Sequence, residues 1–426
     1  MSPASLRTWV TGLGVLCAAG RDPAGFTGAL RAGHSGITRR ETGARDEAGW
    51  PDRSAVIDGF ALADALAGCE GLSATLLDSA RRSVARSPYN IQVATVAALQ
   101  GWLSAALDEA PAPPARTGVV VAGSNLNGGY AWRQRHRFER DPAYLPPTFA
   151  LHYQDTDHVG TLSQLLGIRG EGFTVGGASA SGNVAIIQGA RLIECGALDV
   201  CLVVGALTEL SPMELRSYCN LRAAAAAAGD AASTGFGAPF DTGHRGFVPG
   251  EGCAVLVLES EESARRRGAP PLAELSGYAQ RLDANRLADP SADGEADAME
   301  AAIERAGLSP ADIDYVNAHG TGAPLGDAAE LQALRKVFGP RGPWVNATKA
   351  LTGHCLSAAG VVEAVATVIQ LRDSFVHPTV GLTSPVDASH RFVGPTAKGV
   401  PLRHALSNSF GFGGISTSVV FGAAPA

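Results

Sequence analysis

The stretch FTVGGASASGNVAIIQGARLIECG, residues 173–196, decides the reading of this chain. It opens on a strand-like triplet, Phe173-Thr174-Val175, and passes through the small residues Gly176, Gly177, Ala178 and Ser179. A helical pattern follows, with Val184, Ile187, Ala190 and the Leu192-Ile193 pair spaced for one buried face. Strand, turn and helix together deliver Ser179 to a helix N-terminus. There the free amides and the positive end of the dipole favour an alkoxide, a thiolate or an acyl oxyanion. The competing reading is an N-cap serine with a structural role only. A hydrolase elbow fits less well, because G-x-S-x-G needs a glycine where Ser181 stands.

Working outward, apolar strand-like runs alternate with helical patterns along the whole chain. Trp9-Val10, Thr117 to Ala122, Val200 to Val204 and Ala254 to Leu258 form a first set. Leu272 to Ser276, Ile313 to Asn317, helices over Ala328 to Phe338 and Ala358 to Leu371, and a last strand over Ser416 to Phe421 form a second. The alternation predicts an α/β protein with a mostly parallel sheet covered by helices. The order of elements predicts two similar halves, 1–259 and 260–426, although no repeated sequence stands out. Leu221 to Ser233, with Ala223 to Ala228 unbroken, reads as a helix end followed by a surface loop.

Composition narrows the function classes. Of 426 residues, 46% are hydrophobic and 18% charged, with 52 Gly and 25 Pro, which suits a compact enzyme and not a disordered chain. A net charge of -7 without a long run of like charges gives no footing for nucleic acid or an anionic membrane. Seven dispersed cysteines without a C-x-x-C pair suit a reducing cytoplasm, and the scattered histidines offer no metal-ligand spacing. Residues 1–20 hold an apolar run broken by Gly12 and Gly14, which reads as a buried strand and not as a signal peptide.

Three further stretches carry chemistry. In Val316-Asn317-Ala318-His319-Gly320-Thr321-Gly322, a histidine follows a strand and is flanked by glycine, so its ring can reach a substrate as base or donor. In Asn346-Ala347-Thr348-Lys349-Ala350-Leu351-Thr352-Gly353-His354, Lys349 and His354 stand either side of a turn that leads into the helix carrying Glu363. In Asn408-Ser409-Phe410-Gly411-Phe412-Gly413-Gly414, two aromatics sit in what reads as a glycine-rich turn, where main-chain amides can approach a ligand closely.

In this order the four stretches resemble the β-ketoacyl-acyl-carrier-protein synthases of the thiolase superfamily. The resemblance runs from Val10-Thr11-Gly12-Leu13-Gly14 through Phe240-Asp241, Gly246-Phe247-Val248 and Gly250-Glu251-Gly252. It implies a five-layered α-β-α-β-α fold of two duplicated halves and a homodimer. It also implies a substrate carried on the phosphopantetheine arm of a separate acyl carrier protein, with no bound cofactor and no metal. The family's Cys-His-His triad falls on Ser179, His319 and His354. Lys349 matches the lysine that tunes the site, and Glu363, Asp327 and Glu330 match its supporting acids. The amides of Ser179 and Phe410 match the oxyanion hole, and Phe410 the gate to the acyl pocket.

Ser179 replaces the family's nucleophilic cysteine. An alcohol needs a general base where a thiol can be driven to thiolate by a helix end. Three readings follow. The chain is a carbon-carbon bond-forming acyltransferase of a polyketide or related natural-product pathway, by Claisen condensation or aldol-type cyclisation, with Ser179 standing in for a cysteine. Alternatively, it is a malonyl-carrier decarboxylase or acyl transferase that uses Ser179 as it is. A third reading is a non-catalytic partner subunit akin to a chain-length factor, against which the retained His319, Lys349 and His354 argue. Gly177 and Ala323, where the family usually carries threonine, point away from housekeeping fatty-acid synthesis.

Overall fold

The computed structural model describes residues 7–39, 51–226 and 238–425; part of the stretch 221–233 lies outside them. Eleven strands form the main sheet. Ten of them fall into two sets of five. The first set is β1 (Thr8–Cys17), β2 (Thr117–Ala122), β3 (Gly172–Val175), β4 (Val200–Gly205) and β5 (Gly252–Ser260). The second is β6 (Ala273–Leu282), β7 (Tyr315–Asn317), β8 (Trp344–Asn346), β9 (His404–Gly411) and β10 (Ile415–Ala423). The order in space is β3-β2-β4-β5-β1 in the first and β8-β7-β9-β10-β6 in the second. Each is third, second, fourth, fifth, first, and the strand directions repeat as well. The pairs β2·β3 and β2·β4 are parallel like β7·β8 and β7·β9, while β4·β5 and β5·β1 are antiparallel like β9·β10 and β10·β6. The duplication expected from element order is thus carried by topology. The expectation of a mostly parallel sheet is corrected for the pairings: in each half one strand, β5 or β10, runs against the other four, so two of the four pairings are antiparallel.

Six helices complete the layers: α1 (Tyr89–Ser104), α2 (Thr156–Leu166), α3 (Ser181–Glu194), α4 (Ala292–Arg305), α5 (Pro324–Phe338) and α6 (Ala359–Asp373). Strand residues alternate between two cores. Val119 and Val121 face α1 and α2 with Leu99 and Leu162, whereas Val120 and Ala122 face the centre with Ile186 and Val361. A third core, with Met299, Leu334, Val316 and Val420, lies under α4 and α5. The fold is therefore α-β-α-β-α, with α3 and α6 as the middle layer. Both faces of each sheet are buried, which is why the strands read as near-continuous apolar runs. Helix α6 buries Val361, Val365, Ile369 and nearly all its neighbours, as a helix packed on every side must.

The two middle helices meet at their starts. A Cβ on Gly182 would lie 2.6 Å from the Val361 amide nitrogen, and one on Gly360 would lie 2.7 Å from that of Asn183. Glycine at both places lets two helix N-termini converge, and the residues that precede those helices are brought together.

Candidate active site

Ser179 and His354 precede α3 and α6, His319 follows β7, and Phe410 stands near the end of β9. Each lies at the carboxyl end of a strand or the start of a middle helix, the usual place for a site in an open α/β sheet. A cavity of about 650 Å³ opens there, lined by Ser179, His319, His354, Phe247, Phe410 and Phe412 among others.

Ser179 lies in a single 3-10 turn, Ala178–Ala180, ahead of α3. Its hydroxyl caps no amide; Ser181 Oγ instead accepts from Gly177 N at 2.9 Å and donates to Ala178 O at 2.8 Å. The N-cap reading of Ser179 falls. Ala178 holds a left-handed φ of 53°, a strained conformation for a residue with a Cβ. The second half repeats this device, with Leu356 at φ 51° just after His354.

The turned Leu356 amide donates to His354 Nδ1 at 3.1 Å. A neutral imidazole whose Nδ1 accepts carries its proton on Nε2. His354 Nε2 lies 3.2 Å from Ser179 Oγ, so the ring donates to the serine and does not take its proton. His319 is set the same way by another donor. Lys349 Nζ reaches His319 Nδ1 at 3.2 Å, His319 O at 2.5 Å and Glu363 Oε1 at 2.5 Å. Burial first, then the Lys349 charge and, for His319, the other ring, hold both imidazoles well below their ordinary value. Both are neutral at pH 7. The rings meet edge to face with centroids 5.7 Å apart, and both line the cavity.

The acids stand behind the first histidine. Glu330 accepts from His319 N and Gly320 N, both at 2.8 Å, and from Asn408 Nδ2 at 3.2 Å. Burial pushes this carboxyl up to about 7 against the pull of those donors. Asp327 accepts from Phe240 N at 2.7 Å and Gly322 N at 3.0 Å. Its third partner is His244 Nδ1, at 2.8 Å. No motif around His244 marks it in the sequence, since nothing local ties it to a residue 83 positions away. Glu363 is buried on α6, and its value is raised to about 7 by burial even with Lys349 beside it. Cys355, next to His354, is packed in the central core, where burial pushes its thiol far up and leaves it inert.

The segment 408–414 is corrected. Asn408 to Gly411 belong to β9, and only Phe412 to Gly414 turn. Asn408 and Ser409 are fully buried, paired with Ser418 and Thr417 of β10. Phe410 packs against the His319 ring at 5.6 Å. At Gly411, a Cβ would lie 2.3 Å from Gly177 O and 3.3 Å from Ser179 N, so β9 touches the Ser179 turn.

Residues 7–264 match the family described as beta-ketoacyl synthase, N-terminal domain, and residues 272–383 match its C-terminal domain. The chain belongs to the β-ketoacyl synthase family. It is 39% identical over 342 residues to the polyketide biosynthesis malonyl-ACP decarboxylase PksF of Bacillus subtilis (strain 168), which covers 80% of this chain and 81% of that protein. It is 32% identical over 425 residues to 3-oxoacyl-[acyl-carrier-protein] synthase 2 of Vibrio cholerae, 97% of this chain and 98% of the other. The solved ishigamide ketosynthase/chain length factor aligns with a TM-score of 0.87 at 25% identity over 99% of this chain and 100% of that one. This synthase-family chain therefore carries a condensing-enzyme scaffold. Among the described residues no group of three or more His, Cys, Asp or Glu could hold a metal, and no helix is long and apolar enough to cross a membrane.

Proposed function

We propose that the chain decarboxylates a malonyl thioester presented on the phosphopantetheine arm of an acyl carrier protein, releasing CO2 and leaving acetyl-carrier. The observation that carries this reading is the tautomer of the two histidines. Both offer Nε2–H into the cavity, because Leu356 N and Lys349 Nζ occupy Nδ1. Two neutral donors suit a thioester oxygen that becomes an enolate oxygen as the carboxylate leaves. They do not suit the activation of serine, which requires a ring nitrogen free to accept its proton.

The substrate carbonyl would replace Ser179 Oγ as the acceptor of His354 Nε2–H. Its C–C bond to the carboxylate breaks, the electron pair enters the enolate, and the two N–H groups hold the new charge without transferring a proton. Ser179 stays unacylated. The name of the Bacillus relative supports the same chemistry. Only in the competing acyl-transfer reading would the amides of Ser179 and Phe410 form the oxyanion hole for an acyl group at position 179, with Phe410 as its gate. The homodimer is also a proposal, supported by the exposed side chains of Phe138, Tyr144, Leu151 and Tyr153 within one stretch, and tested by sedimentation.

The test is incubation with malonyl-carrier protein alone, with both proteins followed by intact mass. Acetyl-carrier formed while the enzyme mass stays unchanged is expected. A malonyl or acyl adduct on Ser179, or a chain-extended carrier product, would overturn the reading in favour of acyl transfer or condensation.

A further inference from the structure

A condensing enzyme uses the enolate left by decarboxylation to attack an acyl group, whereas a decarboxylase must put a proton on the same carbon. Each histidine holds one proton, on Nε2, and in the proposed chemistry that proton stays on the ring, committed to hydrogen bonding the enolate oxygen. Another acid is required, and the cavity wall contains one. Glu295, in the first turn of α4, lines the same cavity as Ser179 and His319. It is 2% exposed, and its Oε2 is shut off from solvent without a hydrogen-bond partner.

Its position follows from the packing of α4. The helix runs antiparallel to β6, since a Cβ on Gly277 would meet Ala302 O while one on Gly294 would meet Asp283 Oδ1. It is therefore antiparallel to β9 as well, because β6 and β9 both run opposite to β10. Met299 places its sulfur 3.3 Å from Asn408 Nδ2. Glu295, about one turn toward the helix start, stands level with the Phe410 end of β9, where Phe410 meets the His319 ring. The charges that act on it are those of Glu330, Asp283 and Asp327, all acids. Burial, and then those three charges, hold its carboxyl well above the ordinary value, so it keeps a proton at neutral pH. Asp283 sits against Gly294 and lines the cavity with an unpartnered Oδ1, and it is only partly buried.

We propose that the Glu295 carboxyl is the acid that protonates Cα of the enolate, and that Asp283 returns the proton from solvent. The proposal rests on the decarboxylase reading. As CO2 departs, the pair from the broken C–C bond lies in the enolate; the Glu295 O–H proton goes to Cα and makes the acetyl thioester. The Glu295 carboxylate then regains a proton from water through Asp283, so one proton is consumed for each CO2.

The test separates cleavage from protonation. Glu295→Gln is an isostere of the neutral carboxyl, and its melting temperature reports whether the fold is kept. With excess malonyl-carrier protein, Glu295→Gln is expected to release a first-turnover burst of CO2 at close to the unmutated rate, while steady-state acetyl-carrier formation runs about 100-fold more slowly. In the unmutated chain acetyl-carrier formation should decline as pH rises through the ionisation of Glu295, and the variant should lose that limb. Equal slowing of the first-turnover CO2 and of steady-state acetyl-carrier formation, no slowing of either, or an unmutated rate flat into the alkaline range each overturns the proposal. An unmutated chain that releases no CO2 removes the decarboxylase reading itself, and the role of Glu295 with it.

Discussion

Replacing Gly411 by alanine probes whether the contact between β9 and the Ser179 turn sets the site. The added Cβ would stand 2.3 Å from Gly177 O, where ordinary contact begins near 3.4 Å, so strand and turn must part by roughly 1 Å. Neither side yields easily: β9 is held by β10 along its length and by β7, and the turn by the two hydrogen bonds of Ser181 Oγ. Overpacking of this kind costs about 1–3 kcal/mol. The same displacement moves Ser179 and Phe410 relative to the histidines, and a misplacement near 1 Å lowers a positioned reaction by about 100-fold. Urea denaturation and the initial rate of acetyl-carrier formation measure the two effects on one preparation. A Gly411→Ala protein with unchanged rate and unchanged midpoint would refute the argument that this glycine fixes the distance.

Three further outcomes are expected. Ser179→Cys puts a thiol where the start of α3 can favour its thiolate; incubation with acyl-carrier should give a covalent adduct by intact mass, where the serine chain gives none. His244→Ala removes a partner of the buried Asp327 carboxyl and should cost about 2 kcal/mol by thermal melt, with a fall in kcat through the loosened His319–Gly322 turn; His244→Gln, which keeps a donor, should recover most of both. His158 is buried, which lowers its value to about 4, and its Nε2 has no partner. Because the unfolded chain takes up a proton below about 6.5 and the folded chain does not, the stability present above that pH is lost as pH falls toward 4. By pH 5 the loss is about 2 kcal/mol. His158→Leu should match the parent at pH 7 and exceed it at pH 5 by that amount in urea midpoints.

The stretch 173–196 was legible because it is local. Alternating small and apolar residues state strand, turn and helix within one window, and Ser179 follows from them. The strands Thr117–Ala122 and Val200–Gly205 and the helices α5 and α6 were visible for the same reason. Strand β9 was not, because its glycines and polar residues look like a turn until Asn408, Ser409 and Phe410 find Ser418, Thr417 and Ser416 across the ladder. The division at Glu259-Ser260 remains a proposal, placed where β5 passes into the helix Glu261–Arg267.

The sequence by itself marked which side chains could do chemistry, because the motifs of Ser179, His319, Lys349 and His354 are set by short-range turns; Phe410 was marked too, although it lies in strand β9 and not on a turn. Only the tertiary structure decided what those side chains can do. A proton is placed by the partner of the other ring nitrogen. Leu356 N fixes it for His354, and for His319 it is Lys349 Nζ, 30 residues on in the chain. Burial beside distant acids decides it for Glu295. Hydrogen bonds and desolvation act over a few ångströms in space, and the chain order does not record those distances.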